Sequence, residues 1–60
     1  MYVYRRPKEG GIQFRDDLSL EEAHNVARQW SRRFRQAVVV QASRSPSDRP
    51  TCVYAFGLQW

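Results

Sequence analysis

The chain has 60 residues, 42% of them hydrophobic, and a net charge of +4, which allows one small domain and leaves little room for a large core. One cysteine and one histidine form neither a disulfide framework nor a four-ligand zinc site. No apolar run approaches the roughly 20 residues of a membrane span, and the lone thiol favours a reducing, cytoplasmic setting.

The first part of the chain predicts a β-hairpin. Residues 2–5 are rich in strand-forming side chains, and residues 12–15 alternate apolar and polar ones. The segment between them contains one proline and two adjacent glycines, which is typical of a turn. We expect Ile12 and Phe14 to face the core, with the polar residues of that strand facing water or a ligand.

The central segment predicts an amphipathic helix over about residues 19–36. Ser19 and Glu22 match a capping box, and the acidic first turn complements the helix dipole. Apolar residues at helical spacing then form a seam that we expect to face the core, with its two aromatic members as anchors. The members of this seam are Leu20, Ala23, Ala27, Trp30 and Phe34.

Two further strands are predicted after the helix. Three consecutive valines, Val38–Val40, favour a strand, and a polar loop with two prolines follows them. Residues 51–58 predict the last strand, in which the even-numbered side chains from Cys52 to Trp60 would share one face.

The predicted order of elements is ββαββ. It indicates an α+β two-layer sandwich, in which a four-stranded, mainly antiparallel sheet carries one amphipathic helix on one face. We expect a single domain over residues 1–60.

No combination of side chains predicts an enzyme. His24 is the only imidazole, and the sequence gives no reason for it to meet Cys52 as an activating base. The carboxylates at the helix start are explained by capping, and no spacing typical of metal ligands occurs. We therefore expect no catalytic residue, no metal and no cofactor.

Basic residues concentrate in the second part of the chain. Residues 1–24 carry four basic and five acidic side chains, net −1, whereas residues 25–60 carry six basic and one acidic, net +5. Nine of the ten basic residues are arginine, which favours bidentate contacts with phosphate or carboxylate.

Four of these arginines lie in the second half of the helix. Arg28, Arg32 and Arg35 fall on one side of it, away from the seam, and Arg33 lies on the opposite flank. The structural interpretation of these arginines is that cations near the C-terminus of a helix complement its dipole. The functional interpretation is an anion-binding face. Further arginines that could extend this face are Arg5, Arg6, Arg44 and Arg49.

The predicted sheet carries apolar residues on both of its faces. One helix covers one face only, and a half-exposed sheet should alternate more cleanly. The surplus predicts that a partner covers part of the outer face. The side chains that we expect to make such contacts are Tyr2, Tyr4, Val39 and Val53.

These features favour a small non-catalytic interaction or regulatory protein, for instance a bacterial or phage regulator or inhibitor. It would bind a protein partner with an acidic surface, or a second copy of itself as a homodimer, through the arginine face of the helix, the outer sheet face or both. The alternative is a DNA- or RNA-binding protein that uses the same basic face. No membrane association is expected.

Overall fold

The chain folds in the order ββαβββ, and the computed structural model describes all 60 residues. The strands form one sheet in the order β2-β1-β3-β4-β5, in which every neighbouring pair is antiparallel, and the helix packs on one face. The elements are β1 (Tyr2–Arg5), β2 (Gln13–Arg15), α1 (Leu20–Phe34), β3 (Val38–Gln41), β4 (Pro50–Ala55) and β5 (Leu58–Gln59). The predicted α+β class and antiparallel sheet are confirmed, but the predicted four strands and ββαββ order are wrong.

The additional strand arises from a hairpin turn inside the segment predicted as one last strand. Phe56 and Gly57 have φ values of 54° and 82°, and two consecutive positive φ angles are what a type I′ hairpin turn requires. The chain therefore reverses, and Leu58 lies opposite Ala55. The prediction that Leu58 and Trp60 share a face with Cys52 is wrong, because this reversal carries both residues to the other side of the sheet.

The helix begins as the sequence predicts. Glu22 N donates to Ser19 Oγ (3.1 Å), and Ser19 N donates to Glu22 Oε1 (3.0 Å), which completes the capping box. The bond from the Ser19 backbone, followed by that from its hydroxyl, holds the pKa of the Glu22 carboxyl below its ordinary value. The helix ends at Phe34, and Arg35 follows in the left-handed conformation with φ 51° and ψ 49°. The single helix lacks the length and apolar character needed to cross a bilayer.

Small side chains make up the helix surface that is fully buried. Ala23, Ala27 and Ser31 are all 0% exposed, so the helix approaches the sheet closely. The larger apolar residues flank this contact: Trp30 is half-buried, and Leu20 is 58% exposed, so its predicted place in the core seam is wrong. The sheet contributes to this core Val3, Val38, Val40, Cys52 and Tyr54.

The helix contacts every strand except β2. Ile12 and Phe14 were expected in the core, and that expectation is wrong. Phe14 pairs with Tyr4 on the face opposite the helix, and its ring centroid lies 5.5 Å from that of Tyr2. The predicted alternation of apolar and polar residues in β2 is correct. Its apolar side faces away from the helix, because the helix does not reach this edge strand.

A hydrogen bond fixes the β4–β5 turn to the helix. Gly57 N donates to Ser31 Oγ (2.8 Å), and the same hydroxyl donates to the carbonyl of Arg28 (3.0 Å). The turn lies so close to the helix that a Cβ atom added to Gly57 would overlap with Cγ of Arg32. The stem of Arg32 therefore packs over the turn.

We expect Gly57→Ala to lower the free energy of unfolding by about 2–3 kcal/mol, from backbone strain at positive φ plus the contact with Arg32. Gly11→Ala is the matched control, because Gly11 has φ 77° and nothing within 4 Å of an added Cβ. It should cost only about 1 kcal/mol. Urea unfolding of both variants measures the difference, and equal losses would show that Arg32 moves aside at no cost.

Candidate functional site

The sheet face opposite the helix carries one continuous row of side chains from β2 to the residue that follows β5. Tyr4 pairs with both Phe14 and Val39, and Val39 pairs with Val53. The row ends where Trp60 N donates to the carbonyl of Val53 (2.7 Å), in register with the β4–β5 pairing. Every member is apolar or aromatic. We call these five residues, Phe14, Tyr4, Val39, Val53 and Trp60, the outer row.

The four side chains predicted as sheet-face contacts all lie on this outer face. Tyr4, Val39 and Val53 are partly exposed there, but Tyr2 is only 8% exposed. Its ring packs against those of Tyr4 and Phe14, and it shares a cleft of about 160 Å³ with residues of the loop between β3 and β4. The chain therefore covers part of its own outer face. Contact of these four residues with a partner stays a prediction.

The outer row has an aromatic end flanked by arginines. Cζ of Arg44 lies 5.1 Å from the ring centroid of Phe14, and Cζ of Arg6 lies 5.8 Å from that of Tyr4. Both distances are within the range of cation–π attraction. Two of the predicted binding arginines thus lie beside the outer row, while Arg49 is exposed just before β4.

The other end of the outer face, on the β4–β5 side, is more open. Val39 and Val53 are partly exposed at its centre, and Leu58 and Trp60 on the β5 side are 66% and 77% exposed. Exposed large apolar side chains that lie together on one face are typical of interaction surfaces.

Arg28, Arg32 and Arg35, which the sequence predicted on one side of the helix, have different surroundings in the structure. Cζ of Arg28 lies 5.8 Å from the ring centroid of Tyr54, and the stem of Arg32 covers Gly57, so both side chains face the β4–β5 side. Arg35 instead lies beyond the last helical turn, and Cζ of Arg33 lies 5.5 Å from the ring centroid of Phe34. The guanidinium of Arg28 and the stem of Arg32 therefore contact the folded chain, although both residues are exposed.

Arg5 is engaged within the protein. Its Cζ lies 3.4 Å from the ring centroid of Phe34, its Nε donates to Gln13 Oε1 (2.7 Å), and its Nη1 donates to Gln36 Oε1 (2.9 Å). Gln36 in turn donates from Nε2 to the carbonyl of Arg6. Arg5 therefore connects both strands of the first hairpin to the end of the helix.

A cleft of about 470 Å³ opens beside Arg5, where the first hairpin turn meets the end of the helix. Its lining is largely charged, and it includes Lys8 and Gln36, to which the sequence assigned no role. No sequence signal marks this cleft, because its residues come from two distant segments, 5–9 and 34–36. We call it the basic cleft; its lining residues are Arg5, Lys8, Glu9, Phe34, Arg35 and Gln36.

Cys52 and His24 meet in the folded chain, which the sequence gave no reason to expect. Cys52 Sγ lies 3.9 Å from His24 Nδ1, and the same nitrogen lies 2.7 Å from the hydroxyl of Tyr54. Burial raises the pKa of the Cys52 thiol, because desolvation disfavours the thiolate. The pair therefore lacks the low thiol pKa of an activated nucleophile. No group of three or more His, Cys, Asp or Glu side chains is arranged to hold a metal ion.

Comparisons of the chain with protein-family models, with curated proteins and with solved structures give no significant match.

The raised pKa of Cys52 predicts slow thiol chemistry. In the folded protein, a disulfide reagent such as DTNB should react with Cys52 at least about tenfold more slowly than with free cysteine at the same pH. The two rates should converge in urea, where the thiol is exposed. A folded-state rate equal to that of free cysteine would show that His24 generates a thiolate.

The left-handed backbone of Arg35 predicts a stabilising substitution. Arg35→Gly should raise the free energy of unfolding by about 0.5–1 kcal/mol, because glycine adopts positive φ without the Cβ penalty. Arg33→Gly removes the same charge inside the helix and should instead lower the free energy of unfolding by about 1 kcal/mol. Urea denaturation distinguishes the two, and a loss of stability in both variants would contradict the strain at Arg35.

Proposed function

We propose that the protein is a small, non-catalytic interaction protein that binds a protein partner through its outer sheet face. The observation that carries this proposal is the outer row, which extends unbroken from β2 to Trp60 on the face that the helix leaves uncovered. Its valines and aromatic residues offer the apolar centre that protein interfaces require.

The chemistry of the row favours a protein over a nucleic acid. Sheets that bind single strands place aromatic rings where the bases stack. Three members of the row have rings, Phe14, Tyr4 and Trp60, but its centre is Val39 and Val53, which have none, and Tyr2 is only 8% exposed. Aliphatic centres pack well against apolar side chains of another protein.

The charge around the row indicates the partner. Arg6 and Arg44 lie beside its aromatic end, and the whole chain carries +4. A partner surface with an apolar centre and an acidic rim would match both features. The exposed guanidinium groups of Arg28 and Arg32 would add long-range attraction to such a partner.

The non-catalytic part of the proposal is supported by Cys52 and His24. The fold brings this thiol and imidazole together, but Cys52 is only 9% exposed and the pKa of its thiol is raised. Nucleophilic catalysis by a cysteine needs a thiol pKa that is lowered.

The second candidate, a nucleic-acid-binding protein, is favoured by one specific observation. The aromatic end combines Tyr4 and Phe14 with two nearby guanidinium groups, which is the combination that stacks bases and holds phosphates.

We expect Val53→Glu to weaken partner binding at least about tenfold, since it places a charge at the centre of the outer row. Gln29→Glu introduces the same charge on the exposed side of the helix and should leave binding unchanged. The partner is first obtained by affinity capture from the native host. After circular dichroism has confirmed that both variants fold, each is titrated with the purified partner. Equal binding by the two variants would contradict the proposed surface.

Two further measurements separate the competing occupants of the outer face. Solution mass across a dilution series should show a monomer if the partner is a different protein, and a dimer lost in Val53→Glu would assign the face to a second copy. Micromolar, salt-dependent binding of single-stranded oligonucleotides that Phe14→Ala abolishes would favour the nucleic-acid candidate instead.

A further inference from the structure

We propose that the basic cleft binds the dianionic phosphate group of a small phosphorylated compound. This inference does not depend on the proposed function, because no lining residue of the cleft belongs to the outer row.

The charge of the cleft matches such a ligand. Three of its six lining residues are cations, Arg5, Lys8 and Arg35, and one, Glu9, is an anion, so the lining has a formal charge of 3 − 1 = +2. A phosphate monoester carries about −1.5 to −2 at neutral pH and presents three acceptor oxygens. Arginine and lysine together supply the bidentate and point-charge contacts that phosphate prefers.

Arg5 is held in position before any ligand arrives. Phe34 stacks on its guanidinium, and Gln13 and Gln36 each accept one of its hydrogen bonds. A guanidinium has five N–H donors, so three remain for a ligand. A side chain that is already ordered loses little conformational entropy on binding, which favours affinity.

Arg35 lines the cleft with its backbone in the left-handed conformation. Glycine is the ordinary residue at a left-handed helix end, and arginine there carries the steric penalty of its Cβ atom. Backbone strain of this kind concentrates at ligand-binding positions. Arg35 and Lys8 of the hairpin turn thus line the same cleft.

The size of the cleft indicates more than a bare ion. Its volume of about 470 Å³ falls in the range of small-molecule pockets, which is about 300–1,000 Å³. Phosphate alone would leave much of it empty. A compact phosphorylated compound, such as a sugar phosphate, would place its polar body against Gln36 and the edge of Phe34.

The test is calorimetric titration of the full chain with ribose 5-phosphate at low salt, with ribose as the ligand that lacks the phosphate. We expect saturable binding of ribose 5-phosphate below about 1 mM and no binding of ribose. The variant Lys8→Gln/Arg35→Gly should weaken this binding at least about tenfold. Arg35→Gly relieves the left-handed strain, so a loss of binding is separable from a loss of folding, which urea denaturation checks.

The matched control is Arg15→Gln/Arg49→Gln, which removes the same charge at two exposed residues outside the cleft and should change affinity by less than about threefold. Inorganic phosphate distinguishes the sources of the ligand: binding as tight as that of ribose 5-phosphate would assign the cleft to free phosphate, and weaker binding to a phosphorylated compound. The proposal would be overturned by the absence of saturable binding up to about 5 mM, or by equal losses in both double variants. It would also fail if an oligonucleotide without a terminal phosphate bound the cleft and the monoester did not.

Discussion

The width of one helix sets the arrangement of the whole molecule. Five strands at about 4.8 Å spacing make a sheet about 19 Å across, whereas a helix with its side chains is about 10–12 Å wide. The helix α1 therefore packs mainly on β3 and β4, reaches β1 and β5, and leaves β2 without contact. Two consequences follow. On the helix side, Gln13 of β2 is bridged to the rest of the protein by Arg5, because no apolar side chain covers that edge. The opposite face of the sheet has no helix, so the apolar side chains of the outer row stay partly exposed.

Arginine in this chain both stabilises the fold and supplies free positive charge. A flat guanidinium stacks on a ring while its stem covers apolar or close-packed backbone. Arg5 on Phe34 and Arg32 on Gly57 use these properties in place of larger apolar side chains. A 60-residue domain has few residues to spare for a core, so side chains that fill gaps with their stems are valuable. The same residues leave charged groups at the surface, which explains why charge alone did not separate structural from binding arginines in the sequence.

Local signals were predictable from the sequence, and signals that depend on the relative position of distant segments were not. The start of the helix was correct because the capping box lies within four residues, and the Val38–Val40 strand was correct because β-branched residues favour strands wherever they occur. Strand β5 was missed because Phe56-Gly57 lacks the Asn-Gly or Asp-Gly signature of a two-residue turn. The face of Phe14 was wrong because alternation shows which residues share a side, but the reach of the helix decides which side is covered. The basic cleft could not be found, since Arg5, Lys8 and Arg35 meet only after folding.

Strand β1 connects the two candidate surfaces. Its side chains alternate, so Tyr4 lies in the outer row while its neighbour Arg5 lies in the basic cleft. Gln36 accepts from Arg5 and donates to the carbonyl of Arg6, so the cleft, the end of the helix and the arginine beside Tyr4 form one hydrogen-bonded unit. A ligand that binds only the folded chain adds to its stability by an amount that grows with ligand concentration. A compound in the proposed cleft site would therefore raise the free energy of unfolding of a domain that has so small a core.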